Sequence, residues 1–256
     1  MLREERQARI LEYVQNRHYA SVDELMAMLG VSKATIRRDL TALGASNALL
    51  LTRGGATCDV KDHYSEMPYI EKSYANAAEK SAIGEAASCL IQNGQAIIVD
   101  AGTTTRSMTP FLKERKGVNC VTNDIAIASD LMACPGINVL VTGGQLRMDF
   151  YTLRGYVAEE MIGNTRADIA FLGFDAIDVN SGCFITNVDE VMLKRRILSV
   201  ADRTVAVCDH TKFTTTAFIS VCGFSDIDTI ITDEGADPQH IQTLREMGVE
   251  VILAPL

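Results

Sequence analysis

Gly30-Val31-Ser32-Lys33-Ala34-Thr35-Ile36-Arg37-Arg38-Asp39-Leu40-Thr41-Ala42-Leu43 reads as a turn followed by a basic helix. Ser32 is placed to cap that helix, because its hydroxyl can accept one of the unpaired amide protons of the first turn. Ile36, Leu40 and Leu43 recur at i, i+4 and i+7 and share one buried stripe. Lys33, Thr35, Arg37 and Arg38 fall largely off that stripe, near the helix start. A short helix with donors at its N-terminal end is a shape and chemistry that the major groove of DNA accepts.

The flanks support the reading. Residues 4–16 carry Ile10, Leu11 and Val14 at helical spacing, and residues 16–20 make a polar break. Ser21-Val22-Asp23-Glu24 is a Ser-x-x-Glu capping box, opening a helix with Leu25, Met28 and Leu29 inward. Gly30 supplies the freedom that a tight interhelical turn needs. Residues 48–52 read as a strand turning at Gly54-Gly55, with Arg53 in the turn. Three helices followed by a hairpin within residues 1–57 predict a winged helix-turn-helix domain.

Composition separates this segment from the rest. The chain of 256 residues has a net charge of −9, yet residues 1–60 hold eight basic and seven acidic side chains. A domain so nearly neutral must bind DNA by local placement and paired presentation, since non-specific affinity follows the number of phosphates neutralised. No run of 18 apolar residues suggests a membrane span, and the charged start Met1-Leu2-Arg3-Glu4-Glu5-Arg6 is unlike a signal peptide. The seven cysteines, Cys58, Cys89, Cys120, Cys134, Cys183, Cys208 and Cys222, are dispersed without metal-ligand spacing. They are expected to be reduced thiols of a cytoplasmic protein that uses no metal and no cofactor.

Residues 58–78, of mixed polarity with one proline, are expected to form a linker, free or packed on its neighbour. From residue 79 to 256, helical stretches near 79–92, 104–114, 124–133, 156–164, 188–200 and 238–247 alternate with short apolar runs. Those runs are 96–99, 118–121, 137–141, 168–172, 205–208, 229–231 and 249–253. The alternation predicts an α/β domain with a mostly parallel sheet covered on both faces. Ligands of such sheets bind at the carboxyl ends of the strands. Here those ends carry Asp100-Ala101-Gly102-Thr103-Thr104-Thr105, Thr122-Asn123, Gly143-Gly144, Asp175 and Asp209-His210-Thr211-Lys212. A Gly/Thr loop running into a helix favours a phosphate, Lys212 can supply countercharge, and Asp100, Asn123 and Asp175 can bond to the hydroxyls of a polyol. Taken singly, Thr103–Thr105 reads equally as a capped turn, Gly143-Gly144 more readily as a plain turn and Lys212 more readily as a solvated lysine. It is their coincidence at successive strand ends that points to a site. Glu190 and Lys194, at i, i+4 on one helix, are either a surface ion pair or part of the pocket mouth.

The strings Thr35-Ile36-Arg37-Arg38-Asp39-Leu40 and Arg53-Gly54-Gly55-Ala56 resemble those of DeoR-family bacterial transcriptional regulators, as do the strand-end motifs just quoted. The resemblance extends over nearly the whole chain. It implies a repressor of a carbohydrate-utilisation operon that binds double-stranded operator DNA through Ser32, Lys33, Thr35, Arg37, Arg38 and Arg53. It also implies a homodimer or higher homo-oligomer, released from DNA by a small phosphorylated sugar. The effector would bind Asp100, Gly102, Thr103, Thr104, Thr105, Thr122, Asn123, Gly143, Gly144, Asp175, Glu190, Lys194, Asp209 and Lys212. Coupling between effector and DNA would pass through residues 58–78.

The sensor domain implied is similar to ribose-5-phosphate isomerase. Laid on that enzyme's pattern, Leu172 and Lys194 stand where catalytic acids would be, Ile185 falls near the active-site lysine, and only Asp175 is retained. No catalytic residue is therefore expected, since proton shuttling between sugar carbons needs a positioned base. An isomerase carrying a DNA-binding module, and a regulator whose second domain is purely structural, remain the alternatives. The chain departs from the regulator pattern at Gly44-Ala45-Ser46-Asn47, at Leu50-Leu51 where a basic pair is common, and at Phe174. These changes shift DNA contacts onto the basic helix and leave the identity of the sugar open.

Overall fold

The computed structural model describes residues 3–17, 19–45, 49–52, 54–57 and 66–256, without the side chains of residues 4, 5, 15–17 and 50. The backbone separates into two compact units, Met1–Ser65 and Glu66–Leu256.

In the first unit, α1 (Arg3–Arg17), β1 (Tyr19–Ser21), α2 (Val22–Leu29) and α3 (Lys33–Ala45) precede β2 (Leu50–Thr52) and β3 (Gly55–Thr57). The capping box forms as read. The Glu24 amide donates to the Ser21 hydroxyl at 3.1 Å, and the Ser21 amide donates to the Glu24 carboxylate at 2.8 Å. Gly30 ends α2 at φ 65°, a left-handed conformation that other residues adopt only at a cost. Ile36, Leu40 and Leu43 of α3 pack with Ile10, Val14, Leu25 and Leu49 in one small core. The strands form an antiparallel sheet in the order β1-β3-β2, so a third strand joins the expected hairpin. Ala48, Ser46, Asn47 and Arg53 lie outside the described residues.

The second unit opens with α4 (Tyr69–Tyr74) and α5 (Ala77–Cys89). Then follow β4 (Ala96–Val99), α6 (Thr103–Arg106), β5 (Val118–Thr122), α7 (Ile125–Leu131) and β6 (Ile137–Val141). A short hairpin of β7 (Gln145–Arg147) and β8 (Thr152–Arg154) leads into α8 (Tyr156–Gly163) and β9 (Ile169–Gly173). Next come β10 (Ala176–Asp178), β11 (Gly182–Ile185), α9 (Val191–Val200), β12 (Thr204–Val207) and β13 (Ile219–Cys222). The chain finishes with β14 (Thr229–Asp233), α10 (Pro238–Glu246) and β15 (Glu250–Ala254).

The main sheet is parallel throughout, in the order β15-β14-β12-β9-β4-β5-β6. Alternate residues along its strands feed two cores. Ile98, Ala170, Leu172, Ala206 and Ile230 face one cluster with Ile162 and Ile197, while Ile97, Val99, Phe171, Val205 and Ile231 face another with Ile83 and Ile127. Strand order reverses at β4, whose neighbours are β5 on one side and β9 on the other. That reversal opens a crevice beyond the carboxyl ends of β4 and β9.

All seven strands expected for this sheet are present within one or two residues of their predicted bounds. Two features differ. The antiparallel sheet β10-β11-β13 and the β7-β8 hairpin were not foreseen, because their strands are short and lack a clean period. The expected linker is shorter at its second end. Residues 66–78 pack as part of the second unit, where the Lys80 ammonium, on α5, donates to the carbonyls of Lys72 and Ala75.

Gly84 lets α5 approach the turn that follows α6. A Cβ there would stand 2.4 Å from the Ser107 carbonyl oxygen. Helix propensity alone would make Gly84→Ala stabilising by roughly 1 kcal/mol. The close approach predicts the opposite sign, a loss of about 1–3 kcal/mol, from overpacking against backbone. Chemical denaturation of the variant measures which term wins.

Candidate functional site

On the first unit, Ser32, Lys33, Arg37 and Arg38 are exposed and Thr35 is half-buried. The helix start is closed chiefly by the Ser32 carbonyl, which accepts from the Thr35 amide at 3.0 Å and the Ile36 amide at 3.1 Å. The Ser32 hydroxyl is a weaker cap than expected. It lies 3.4 Å from the Thr35 amide and pairs with the Thr35 hydroxyl at 3.0 Å. Lys33 reaches Asp23 of α2 at 3.3 Å, a pair too exposed to contribute much. Asp39 is 2% exposed and receives the Arg6 guanidinium at 2.5 and 3.2 Å and the Gln7 amide at 3.2 Å, tying α1 to α3. With Asp39 turned inward, Arg37 and Arg38 carry no ion pair among the described residues and line a shallow groove with Thr35 and Thr41.

On the second unit, a cavity of about 70 Å³ occupies the crevice. Its walls include the loop Ala101–Thr104, Gly173–Asp175 beyond β9, Arg147 and Phe150 from the hairpin, Lys72 from α4, Lys80 from α5 and Lys212. Lys194 forms the floor. It is 4% exposed, pairs with the buried Asp100 and donates to the Gly173 carbonyl at 2.8 Å. Burial works against its charge, but Asp100 and Glu190 outweigh that and raise its pKa.

Seven of the residues expected at the effector site line the cavity: Gly102, Thr103, Thr104, Asp175, Glu190, Lys194 and Lys212. The other seven do not reach its wall, and most of them build the loop from behind. Asn123 accepts from the Ala101 amide at 2.9 Å and donates to Asp100 at 3.2 Å. The Thr105 hydroxyl donates to the Gly102 carbonyl at 2.9 Å, and the Thr122 hydroxyl accepts from the Asp124 amide at 3.1 Å. Asp124, which accepts from the Gly102 amide at 3.3 Å, is pushed up to about 6 by burial. Asp209 accepts from Asn76 at 3.0 Å and from the Thr211 amide at 3.1 Å. Gly143 and Gly144, at φ 68° and 105°, are turn residues, and a Cβ on Gly144 would meet the Arg154 carbonyl at 2.6 Å.

Glu190 and Lys194 do not pair as a surface i, i+4 bridge. Glu190 receives Arg147 at 2.8 Å while Lys194 turns to Asp100. Arg147 is braced by Phe150, whose ring centroid lies 3.6 Å from the guanidinium carbon. Asp175 accepts from Lys72 at 2.8 Å and from the Thr186 amide at 2.8 Å. Burial raises the Asp175 pKa, but Lys72 overrides it and holds the carboxyl down at about 2. Burial pushes the Lys80 ammonium down to about 8, with Asp209 and Glu79 opposing and Lys212 and Lys72 adding. Lys212 makes no side-chain ion pair among the described residues. Glu66, Lys72, Lys80, Arg147 and Phe150 were not anticipated. Glu66 and Lys72 fell in the expected linker, and Arg147 in a hairpin too short to recognise.

The amides of Thr103, Thr104 and Thr105 precede the first intrahelical bond of α6, from the Arg106 amide to the Gly102 carbonyl. Thr103 and Thr104 face a cavity rich in ammonium groups, an environment suited to an oxyanion. The Lys194 ammonium, bonded to Asp100 and with its pKa raised, has no lone pair with which to accept a proton.

Comparison with known proteins agrees with this division. Residues 6–61 match the DeoR-like helix-turn-helix domain, and residues 75–234 match the DeoR C terminal sensor domain. A relative from Escherichia coli O157:H7 that carries the name of an aga operon transcriptional repressor is 36% identical, over 97% of this chain and 93% of its own length. The glycerol-3-phosphate regulon repressor of Haemophilus influenzae is 30% identical over 97% of this chain and 96% of its own. Among solved structures, ribose 5-phosphate isomerase A from Methanocaldococcus jannaschii aligns at a TM-score of 0.40 and 16% identity, covering 54% of this chain and 55% of that one. With both of its domains matched and relatives aligned end to end, the chain belongs to the DeoR family of DNA-binding transcriptional regulators, which are not enzymes.

Proposed function

We propose that this regulator is a repressor of a carbohydrate-utilisation operon, working in the cytoplasm as a homodimer or higher homo-oligomer. A small phosphorylated sugar entering the cavity of the second unit releases it from operator DNA. The observation that carries the reading is that Thr103 and Thr104, at the start of α6, line one cavity with Lys80 and Lys212, two lysines with no carboxylate ion pair among the described residues. A phosphate monoester, near −2 at neutral pH, matches that environment in charge and in acceptor geometry. Asp175, Glu190 and Lys194 supply polar partners for sugar hydroxyls. The name of one relative, the glycerol-3-phosphate regulon repressor of Haemophilus influenzae, supports the same class of control. On the DNA side, Arg37 and Arg38 divide base and phosphate contacts between them, supported by Ser32, Lys33, Thr35 and Arg53. Paired presentation compensates for the weak positive charge of each domain.

Three measurements test this. Arg37→Ala leaves the melting temperature unchanged but weakens binding to promoter fragments beside the gene by roughly 5- to 150-fold at fixed salt, the range for one base or phosphate contact of about 1–3 kcal/mol. Unaltered gel shifts would remove Arg37 from the interface. A panel of phosphorylated sugars, each supplied at 100 times its Kd, raises the melting temperature by roughly 5–10 °C for the correct ligand. Lys212→Ala abolishes the rise. A panel that stabilises nothing, with DNA binding intact, would favour a purely structural second domain. The third measurement is pH. A bound anion favours charged Lys80 and raises its pKa above the ligand-free value of about 8. Affinity is therefore greatest between the second ionisation of the phosphate, at about pH 6, and about pH 8, and declines as pH rises further. Lys80→Met flattens that upper limb.

A further inference from the structure

The cavity is small for its task. Pockets for small ligands enclose about 300–1,000 Å³, whereas this one measures about 70 Å³. One of the side chains lining it, Glu66, stands where a ligand anion could sit. Glu66 enters from the start of the second unit and sets its carboxylate between two cations, Lys72 at 2.7 Å and Arg147 at 2.6 Å. We propose that Lys72 and Arg147 form a second anion subsite of the effector cavity, and that Glu66 fills it as a tethered stand-in which the effector displaces.

Three features single out Glu66 from the other carboxylates of the cavity. First, it is the surplus one. Lys194 has Asp100, Lys72 has Asp175 and Arg147 has Glu190. Withdrawing Glu66 leaves each of those cations with a partner, and leaves Lys80 and Lys212 as two uncompensated charges facing an incoming dianion.

Second, its fit is imperfect. Oε1 accepts a hydrogen bond from Lys72 at 2.7 Å, but Oε2, buried 2.6 Å from the Arg147 guanidinium, accepts no aligned hydrogen bond. A tetrahedral oxyanion or a free carboxylate can orient where a tethered one cannot, so the subsite favours the ligand. Third, the subsite persists without Glu66. Arg147 is stacked on Phe150, and the hairpin tip is braced by Tyr151 edge-on to Tyr69 with ring centroids 4.9 Å apart. Residues 66–68 belong to no helix or strand, and Met67 is 47% exposed. The stand-in can leave without unfolding a regular element.

The inference rests on the anionic-effector reading above, and its test separates the two. Full-length wild type, Glu66→Gln and Glu190→Gln are titrated with inorganic phosphate by calorimetry at fixed ionic strength. Amide exchange of residues 66–75 is followed in parallel. A stand-in that occupies its subsite nine-tenths of the time lowers apparent affinity about tenfold. Glu66→Gln is therefore expected to bind phosphate about tenfold more tightly than wild type and more tightly than Glu190→Gln, which removes the same charge beside the same Arg147. In wild type, phosphate accelerates exchange over 66–75, and in Glu66→Gln that segment exchanges fast with or without phosphate. Should the amide variant melt early, Glu66→Asp, one methylene short, serves with the same ordering and a smaller gain. Equal gains from Glu66→Gln and Glu190→Gln with no change in exchange would reduce the effect to general electrostatics and overturn the stand-in alone. Proteins that melt normally yet bind neither phosphate nor any phosphorylated sugar would overturn this inference and the effector reading together.

Discussion

Lys194 ends against Asp100 beneath the crevice where the order of the parallel sheet reverses, and the site depends on that buried pair. Both side chains are almost wholly removed from water, at 4% and 1% exposure. Removing either partner of such a pair leaves an uncompensated charge, typically at about 3–5 kcal/mol. The pair is also the hub of a network. Asp100 holds Asn123, Asn123 holds the Ala101 amide, and Lys194 holds the Gly173 carbonyl across the gap between β4 and β9. The loops after those two strands are thereby locked to one another, and Thr103, Thr104 and Asp175 face a common cavity.

The Lys194 ammonium is satisfied by Asp100 and by the Gly173 carbonyl, so it is held in place with no lone pair to accept a proton. Around it the cavity gathers cations at three levels of compensation. Lys194, Lys72 and Arg147 are paired within the protein, Lys80 is held by carbonyls alone, and Lys212 carries no ion pair among the described residues. Such a gradient favours an anion that arrives from solvent over any fixed internal partner, which suits a sensor that must also let go.

The first unit applies a related constraint in the opposite sense. Asp39 lies next to two arginines on α3, and an exposed carboxylate there would repel DNA phosphates. Buried against Arg6 and Gln7, it becomes a joint between α1 and α3 and leaves the Arg37 and Arg38 side chains exposed. A domain with almost no net positive charge can then present a locally cationic face, which is what the charge count of residues 1–60 required.

The sequence by itself determined the elements whose signals are local. The capping box at Ser21 and Glu24, the left-handed stop at Gly30, the stripe of Ile36, Leu40 and Leu43, and the seven apolar strands all depend on neighbours within a turn or two, and all formed as read. Strand ends also announced the cavity, because the loops beyond the carboxyl ends of parallel strands border such a crevice. Only the tertiary structure decided which of those residues face the cavity. Asp100, Asn123 and Asp209 are as polar as Asp175, but burial turned them into supports for the loop and the neighbouring turn. Lys72, Arg147 and Glu66 were hidden in a supposed linker and a short hairpin, where no period marks them. Their meeting is a matter of long-range packing, since Glu66 and Arg147 become ion-pair partners only once α4 and the hairpin have docked on one another, with Tyr69 edge-on to Tyr151.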